Sequence, residues 1–262
     1  MERHYLSMGW RDALFAHWPV DPPHLDDRLP SGLTPRTHDG SAWLGIIAFV
    51  MEDIRPRGVP APLGLTFGEA NLRTYVEGPD GSPGIYFFNL DAADRLSVGI
   101  ARQFYQLPYY SAHMEIDRHG ALPGENSPHE RRVEFVSHRA HRDAPDAYLD
   151  ASFGPTGDRF LPDQGALENF LVENYRFYLA EGDVDPTGTQ SAGRDVGDGV
   201  VADGELFYGD VAHPPWDLYE ADLDLRSTNF FEANGFERPE TEPLAHYSPG
   251  VPVKADRIRK TD

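Results

Sequence analysis

The stretch between residues 65 and 90 places the strongest constraint on how this chain can fold. Leu65 to Val76 alternates between two kinds of side chain, as a strand does, because successive residues of a strand point to opposite faces. The turn-rich sequence of residues 78–84 follows, and then the apolar run 85–90. Dense glycine and proline between two strand-like runs predicts a β-hairpin.

Strand-like runs separated by Gly/Pro turns also dominate the rest of the chain. We predict further strands at 41–51, 111–117, 132–138, 147–153, 206–211 and 216–223. Helical spacing occurs at 9–17, 92–105, the start of 165–178, and 227–234. Regular alternation of strands and helices is absent, which argues against a doubly wound sheet. The predicted class is therefore α+β and mostly antiparallel β, a curved sheet or barrel with a few packed helices.

The organisation predicted from this pattern is a single domain over residues 1–262. A Gly- and Asp-rich stretch at about 181–205 interrupts it, and we interpret that stretch as a flexible acidic insertion. The tail after residue 257 is expected to be frayed.

The strongly negative charge of the chain argues against nucleic acid as a partner. The net charge is -20, from 43 acidic and 23 basic residues, and it would repel the phosphates of nucleic acids. Only Lys254 and Lys260 are lysines. An acidic, lysine-poor composition is typical of proteins from salt-in halophiles, where high ionic strength screens the self-repulsion.

Targeting and cofactor signals are weak throughout. The first eight residues have no apolar core of a secretory signal, and the apolar run 44–51 is too short to span a bilayer. We therefore expect a soluble cytoplasmic protein with no membrane partner; a homo-oligomer is compatible with the sequence. Cysteine is absent, and no phosphate-binding or dinucleotide fingerprint occurs. We expect no cofactor.

Three histidines sit in Trp- and Pro-containing strings or beside tyrosine: His17, His213 and His246. They could assemble a metal site, but nothing in their spacing demands one, and structural hydrogen-bonded histidines are the more common case. We predict no metal site and leave the role of the three histidines open.

One face of the strand at 65–76 has the composition of a functional site. That face carries Phe67, Glu69, Asn71, Arg73 and Tyr75. Such a polar, aromatic-edged face suits either solvent or a polar cavity. Glu69 and Arg73 stand roughly 13 Å apart along an extended strand, so each needs a cross-strand partner or a ligand. Arg102 is a candidate partner for Glu69.

Several strings together resemble the YqjF-like family of unknown function, which is placed in the acetoacetate decarboxylase-like superfamily. They are Phe15–Val20, Phe67–Val76, Gly84–Phe88, Ala101–Arg102, Leu107–Tyr110, His213–Trp216 and His246–Tyr247. The resemblance implies a barrel or cone of strands around a central cavity. The family itself has no established reaction. The resemblance to the wider superfamily implies a pair of lysines after a proline, of which the first is reactive, with glutamate and arginine in the cavity.

The chain departs from that pattern at the reactive residue itself. Arg102 and Pro108 match, but Tyr109 and Tyr110 occupy the positions of the lysine pair. A phenol cannot form an imine with a ketone, so Schiff-base decarboxylation is excluded at this position. Tyr109 could donate a hydrogen bond to a carbonyl or oxyanion, or simply fill space; for Tyr110 we favour packing.

These observations leave three functional hypotheses. The first is a protein that binds a small organic acid or carbonyl compound, with Arg102 holding the anion and Glu69 and Tyr109 orienting it. Further ligand-binding candidates are Arg73, Asn71 and Tyr75. The second is a lyase, hydratase or isomerase that uses Glu69 as general acid or base. The third is an interaction protein whose cavity is filled by side chains.

Overall fold

The fold is known from a computed structural model, which describes residues 4–93, 109–123, 130–141, 144–180 and 204–261. Thirteen strands in these residues form one sheet. They are β1 (Leu6–Val20), β2 (Thr34–Pro35), β3 (Ala42–Pro56), β4 (Leu65–Glu77), β5 (Pro83–Ala93), β6 (Tyr110–His119), β7 (Arg132–Arg139), β8 (Tyr148–Phe160), β9 (Arg176–Ala180), β10 (Leu206–Ala212), β11 (Leu218–Thr228), β12 (Leu244–Ala255) and β13 (Arg259–Lys260). The helices are short: α1 (Pro22–Asp26), α2 (Leu167–Val172) and α3 (Phe230–Ala233).

The sheet closes on itself in two ways. Pairing of β4 with β5 closes a barrel of nine strands, in the order β4-β5-β6-β7-β8-β11-β12-β1-β3. Pairing of β10 with β12 closes a second ring of seven strands, β5-β9-β10-β12-β1-β3-β4. Strands β1, β3, β4, β5 and β12 belong to both rings, and we call them the shared wall. Most pairings are antiparallel; β5 pairs in parallel with β6 and with β9.

Alternate side chains of the shared wall enter two different interiors. On β4, Ala70 and Leu72 pack in the core of the nine-strand barrel, whereas Phe67 and Tyr75 pack in the core of the seven-strand ring. Both faces of β4 are therefore buried, so the apolar side chains on each face are removed from water. Residues that enter one interior alternate along the strand with residues that enter the other. We call the second interior the seven-strand core.

The predicted hairpin at 65–90 is confirmed, since β4 and β5 pair antiparallel from Glu69↔Ala92 to Glu77↔Pro83. The predicted helix at 9–17 is wrong, because these residues lie inside β1. A β-bulge between Arg11 and Leu14 inserts extra residues, and Asp12 there has a φ of 49°. The bulge breaks the period of two and produces a spacing that imitates a helix.

Some predicted features fall outside the described residues. The helix expected at 92–105 begins in β5, and residues 94–108, which include Arg102, are not described. Nor are residues 181–203 of the acidic insertion. The end of the chain differs from the expected frayed tail, because β13 pairs with Phe207 and Tyr208 of β10. Within the described ranges, no helix is long and apolar enough to cross a bilayer.

Candidate functional site

A small cavity lies in the seven-strand core. Its volume is about 60 Å³, and its walls are mainly apolar and aromatic, including Met8, Phe15 and Phe49. One water molecule requires roughly 10–15 Å³ of such space, so the cavity has room for a compact molecule of a few non-hydrogen atoms. The polar residues at its wall include Glu69, Arg73, Tyr109 and His213.

Glu69 is the buried acid of this cavity. Its side chain projects from β4 into the seven-strand core, and the residue is only 3% exposed. Tyr109 donates a hydrogen bond to Oε2 at 2.8 Å, and Asn71 Nδ2 donates to Oε1 at 3.1 Å. Burial raises the pKa of Glu69 to about 7, against the opposing effect of these two bonds and the charge of Arg73. Glu69 can therefore take up or release a proton near neutral pH.

Arg73 supplies positive charge to the same cavity. Its Nη2 donates to the Leu171 carbonyl oxygen at 3.1 Å and to the Tyr75 hydroxyl at 3.4 Å. Its Nε is buried and has no hydrogen-bond partner among the described residues. A buried, fixed guanidinium with a remaining N–H donor is suited to holding an anionic group.

Asn71 and Tyr75 form hydrogen bonds with Glu69 and Arg73 and so help to fix their side chains. Neither belongs to the cavity wall that the described residues form; they bond to Glu69 and Arg73 instead. The Tyr75 hydroxyl also lies 2.6 Å from Nε2 of His17. Burial lowers the pKa of His17 well below its ordinary value, so the imidazole is neutral. The predicted set thus separates into cavity-wall residues and residues that position them.

Tyr109 and Tyr110, at the positions where the resemblance to the acetoacetate decarboxylase-like superfamily implies a lysine pair, have different surroundings. Tyr109 contacts Glu69 in the cavity. Tyr110 begins β6, and the guanidinium of Arg139 stacks 3.7 Å from the centre of its ring. Arg139 also forms a buried ion pair with Asp91 at 2.8 Å. Tyr110 therefore has a packing role outside the cavity, while Tyr109 belongs to the cavity wall.

The two lysines of the chain lie outside the cavity. Lys254 is exposed and alternates along β12 with Val253 and Ala255, which pack in the seven-strand core. Lys260 is exposed on β13 and pairs with Glu205. No amine side chain of the protein is therefore in a position to form an imine with a ligand in this cavity.

Aromatic residues at the cavity wall were not predicted as site residues. The indoles of Trp10 and Trp216 stack with centroids 5.9 Å apart and planes 12° apart, and the ring of His213 lies 5.5 Å from that of Trp216. The string His213–Trp216 was visible in the sequence without a role. Trp10 lies in the segment 9–17 for which the sequence predicts a helix, so its position on a cavity-facing strand could not be predicted.

The three histidines singled out in the sequence, His17, His213 and His246, contact different side chains. His17 bonds to Tyr75, His213 packs against Trp216, and His246 packs edge-on against Phe160 at 5.7 Å. Among the described residues, no group of three His, Asp or Glu side chains is arranged to hold a metal ion.

Comparison with known sequences identifies the family. The family model DUF2071, described as an uncharacterized conserved protein, matches residues 7–252. The chain belongs to this family. It is also 34% identical over 256 residues to the uncharacterized protein YqjF of Bacillus subtilis (strain 168), covering 97% of this chain and 92% of YqjF. The resemblance to the YqjF-like family is therefore confirmed.

Solved structures agree with the predicted fold. The enduracididine biosynthesis enzyme MppR, complexed with the condensation product of pyruvate and imidazole 4-carboxaldehyde, is similar with a TM-score of 0.64 at 15% identity, covering 99% of this chain and 90% of that one. An acetoacetate decarboxylase-like enzyme from Sphingomonas wittichii RW1 gives 0.60 at 17% identity, with 100% and 94% covered. At these identities the likeness concerns the fold. This DUF2071 protein has the acetoacetate decarboxylase-like fold.

Proposed function

We propose that this protein binds a small organic acid or carbonyl compound in the cavity of the seven-strand core, without a covalent imine. The observation that carries the proposal is the convergence of Glu69, Arg73 and Tyr109 on one mainly apolar cavity. A few polar groups placed in an apolar pocket are the usual form of a small-molecule site.

Each polar group has a definite part in this proposal. Arg73 holds the anionic or carbonyl oxygen of the ligand through its remaining N–H donor. Glu69 and Tyr109 orient the ligand by hydrogen bonds. Arg102 remains a proposed second contact for the anion. The filled-cavity alternative is less well supported, because it leaves the open volume and the buried Nε of Arg73 unexplained.

The structural neighbours suggest which probes to use first. MppR has been solved with pyruvate, and other neighbours are acetoacetate decarboxylases. Pyruvate and acetoacetate are compact and carry both a carboxylate and a carbonyl. They are therefore suitable probes for this chain.

Thermal unfolding in molar salt tests the proposal. A ligand that binds only the folded state raises the unfolding temperature according to its concentration relative to Kd, so weak binders also register. We expect pyruvate or acetoacetate to stabilise the wild type, and Arg73→Met to weaken binding about tenfold or more. Arg159→Met is the matched control, since Arg159 is half-exposed and pairs with Asp217.

Each variant is compared with its own ligand-free unfolding temperature, which separates binding from any loss of stability. The proposal is overturned if no small carboxylate or carbonyl compound stabilises the wild type. It is also overturned if the Arg73 and Arg159 variants bind equally well.

A second candidate function is acid–base catalysis on the same ligand. It is favoured by the pKa of Glu69, about 7, which suits proton transfer near neutrality. The expected reaction is removal of a proton from the carbon next to a carbonyl, with Glu69 as base and Arg73 stabilising the oxyanion. Deuterium uptake by pyruvate, followed by proton NMR, measures this step. Glu69→Gln should keep its affinity for pyruvate and lose the deuterium exchange. If the wild type binds pyruvate without exchange, catalysis is contradicted and only the binding function is supported.

A further inference from the structure

The imidazole of His213 presents a hydrogen-bond acceptor to the cavity. Its Nδ1 lies 2.9 Å from the carbonyl oxygen of Pro214. A carbonyl can only accept, so Nδ1 carries the proton, and in the neutral ring Nε2 has the lone pair. Nε2 is buried and has no hydrogen-bond partner among the described residues. A buried acceptor in this position is costly to leave unsatisfied.

The ring of His213 is also held firmly in place. Tyr175 stacks on it at 4.5 Å with planes 23° apart, and the Tyr175 hydroxyl donates to Oε2 of Glu173. The other oxygen of Glu173 accepts the backbone N–H of Trp216 at 2.8 Å. These contacts fix the direction of Nε2, as a preformed binding group requires.

Two indole N–H groups belong to the same wall. Nε1 of Trp10 and Nε1 of Trp216 are buried without a hydrogen-bond partner in the part of the chain that the structure describes. A ligand group that satisfies both the imidazole and an indole must donate one hydrogen bond and accept another. A carboxylate cannot donate, and an ammonium cannot accept. A hydroxyl group does both.

A chain of aromatic contacts connects Arg73 with His213 along the cavity wall. The guanidinium of Arg73 lies 5.7 Å from the centre of Phe15, and Phe15 packs edge-on against Trp216 at 4.9 Å. Trp216 in turn contacts His213. The middle of the ligand is therefore expected to be apolar.

We infer that the ligand is a short organic acid with an apolar middle and a distal hydroxyl, which donates to Nε2 of His213 and accepts from an indole N–H. This inference rests on the proposed binding function and assigns the substrate class. His213 is then a specificity-determining residue of the same cavity wall that contains Arg73.

Matched pairs of acids test the inference. Glycolate, 3-hydroxypropionate and 4-hydroxybutyrate are compared with acetate, propionate and butyrate by calorimetric titration of the full chain. At the length that fits, we expect the hydroxy acid to bind about tenfold tighter than its counterpart, as one net hydrogen bond to a buried group gives.

Three variants assign the preference to His213. His213→Phe should reduce the ratio of affinities of the hydroxy acid and its counterpart to near one. His213→Gln should keep part of the ratio, because its side-chain carbonyl can accept near the position of Nε2. His138→Phe, at an exposed position stacked on Tyr148 and absent from the cavity wall, should keep all of it.

The outcomes separate this inference from the proposed function. Binding of the acids without a hydroxyl preference, or a preference that persists in His213→Phe, overturns the assignment of the hydroxyl and leaves the acid site standing. Failure of every acid to bind the wild type overturns both. A preference that disappears only in His213→Phe and is partly kept by His213→Gln supports the inference.

Discussion

The phenol of Tyr109 donates a 2.8 Å hydrogen bond to Glu69 in the position where the resemblance to acetoacetate decarboxylases implies an amine. The bond favours the ionised carboxylate, while burial favours the neutral acid, and burial has the larger effect on the pKa of Glu69. A buried acid therefore accepts a hydrogen bond from a neutral phenol at this position. Neither lysine of the chain belongs to the cavity wall.

Removing the phenol oxygen should raise the pKa of Glu69 further above about 7, because a bond that stabilises the carboxylate is lost. The variant is Tyr109→Phe, and the measurement is carbon NMR of labelled glutamate side chains, assigned by comparison with Glu69→Gln. Tyr110→Phe is the control, since that ring packs against Arg139. Equal midpoints in the two phenylalanine variants would contradict the role of Tyr109.

Placing an amine at position 109 should allow imine formation. In Tyr109→Lys the new amine lies beside Glu69, and a Schiff base with pyruvate becomes available. Borohydride reduction followed by mass spectrometry of peptides should locate the adduct at residue 109. The wild type and Tyr110→Lys should remain unmodified, because Lys254 and Lys260 lie outside the cavity. Equal trapping in the wild type would show that an existing lysine reaches the ligand.

The stability of the protein should contain a component from Glu69 that falls as pH rises. The pKa of Glu69 is raised from 4.5 to about 7 in the folded state, so the folded protein holds the proton more tightly than the unfolded chain. The stabilisation is full below pH 4.5, is lost between 4.5 and about 7, and amounts to roughly 3 kcal/mol. Denaturant unfolding of Glu69→Gln over this pH range should lack the component.

The matched control for this experiment has the opposite sign. Hydrogen bonds from Ser152 and Arg226 hold the pKa of Glu134 below its ordinary value. Its contribution is present above the unfolded pKa and is lost as pH falls. Glu134→Gln should therefore lose a component with the opposite slope; parallel pH profiles for the two variants would refute the burial of a protonated Glu69.

The bulge of β1 should depend on a buried carboxylate. Asp12 accepts hydrogen bonds from Arg131 at 2.8 and 2.6 Å and from the Tyr247 hydroxyl at 2.7 Å. Asp12→Asn leaves Arg131 without its counter-charge, and we expect a loss of about 3 kcal/mol in the free energy of unfolding. Asp39→Asn is the control, because Asp39 also has a positive φ, 50°, but its side chain is 96% exposed.

The acid profile provides a second check on Asp12. Although burial opposes it, hydrogen bonds from Arg131 and Tyr247 hold the pKa of Asp12 below its ordinary value. Its stabilisation should therefore persist at neutral pH and disappear as the solution becomes acidic. An equal loss in the free energy of unfolding for Asp12→Asn and Asp39→Asn would contradict a structural role for the ion pair of Asp12 with Arg131.

Local alternation was sufficient to predict part of the site. The period of two in β4 predicts that Glu69 and Arg73 share one face, and the resemblance to a family predicts Tyr109 near them. All three belong to the cavity wall. Both predictions depend on short-range geometry or on a linear motif, and neither requires knowledge of how the sheet closes.

The other half of the site depends on contacts that the sequence does not encode locally. Trp10 and His213 meet because β1 pairs with β12 and β12 pairs with β10, which joins distant parts of the chain. The bulge at Asp12 added a further obstacle, since it disguised β1 as a helix. A strand that is buried on both faces also lacks the alternation of polar and apolar residues by which a strand is usually recognised in a sequence.

The shared wall limits how this family can change length. Because neighbouring residues of these strands enter two different interiors, inserting one residue in β4 would send Glu69 and Arg73 into the nine-strand barrel and Ala70 and Leu72 into the cavity. Insertions tolerated in these strands should therefore come in twos, or be absorbed by a local bulge such as that at Asp12. Relatives aligned across the shared wall would carry their gaps in the loops that connect its strands.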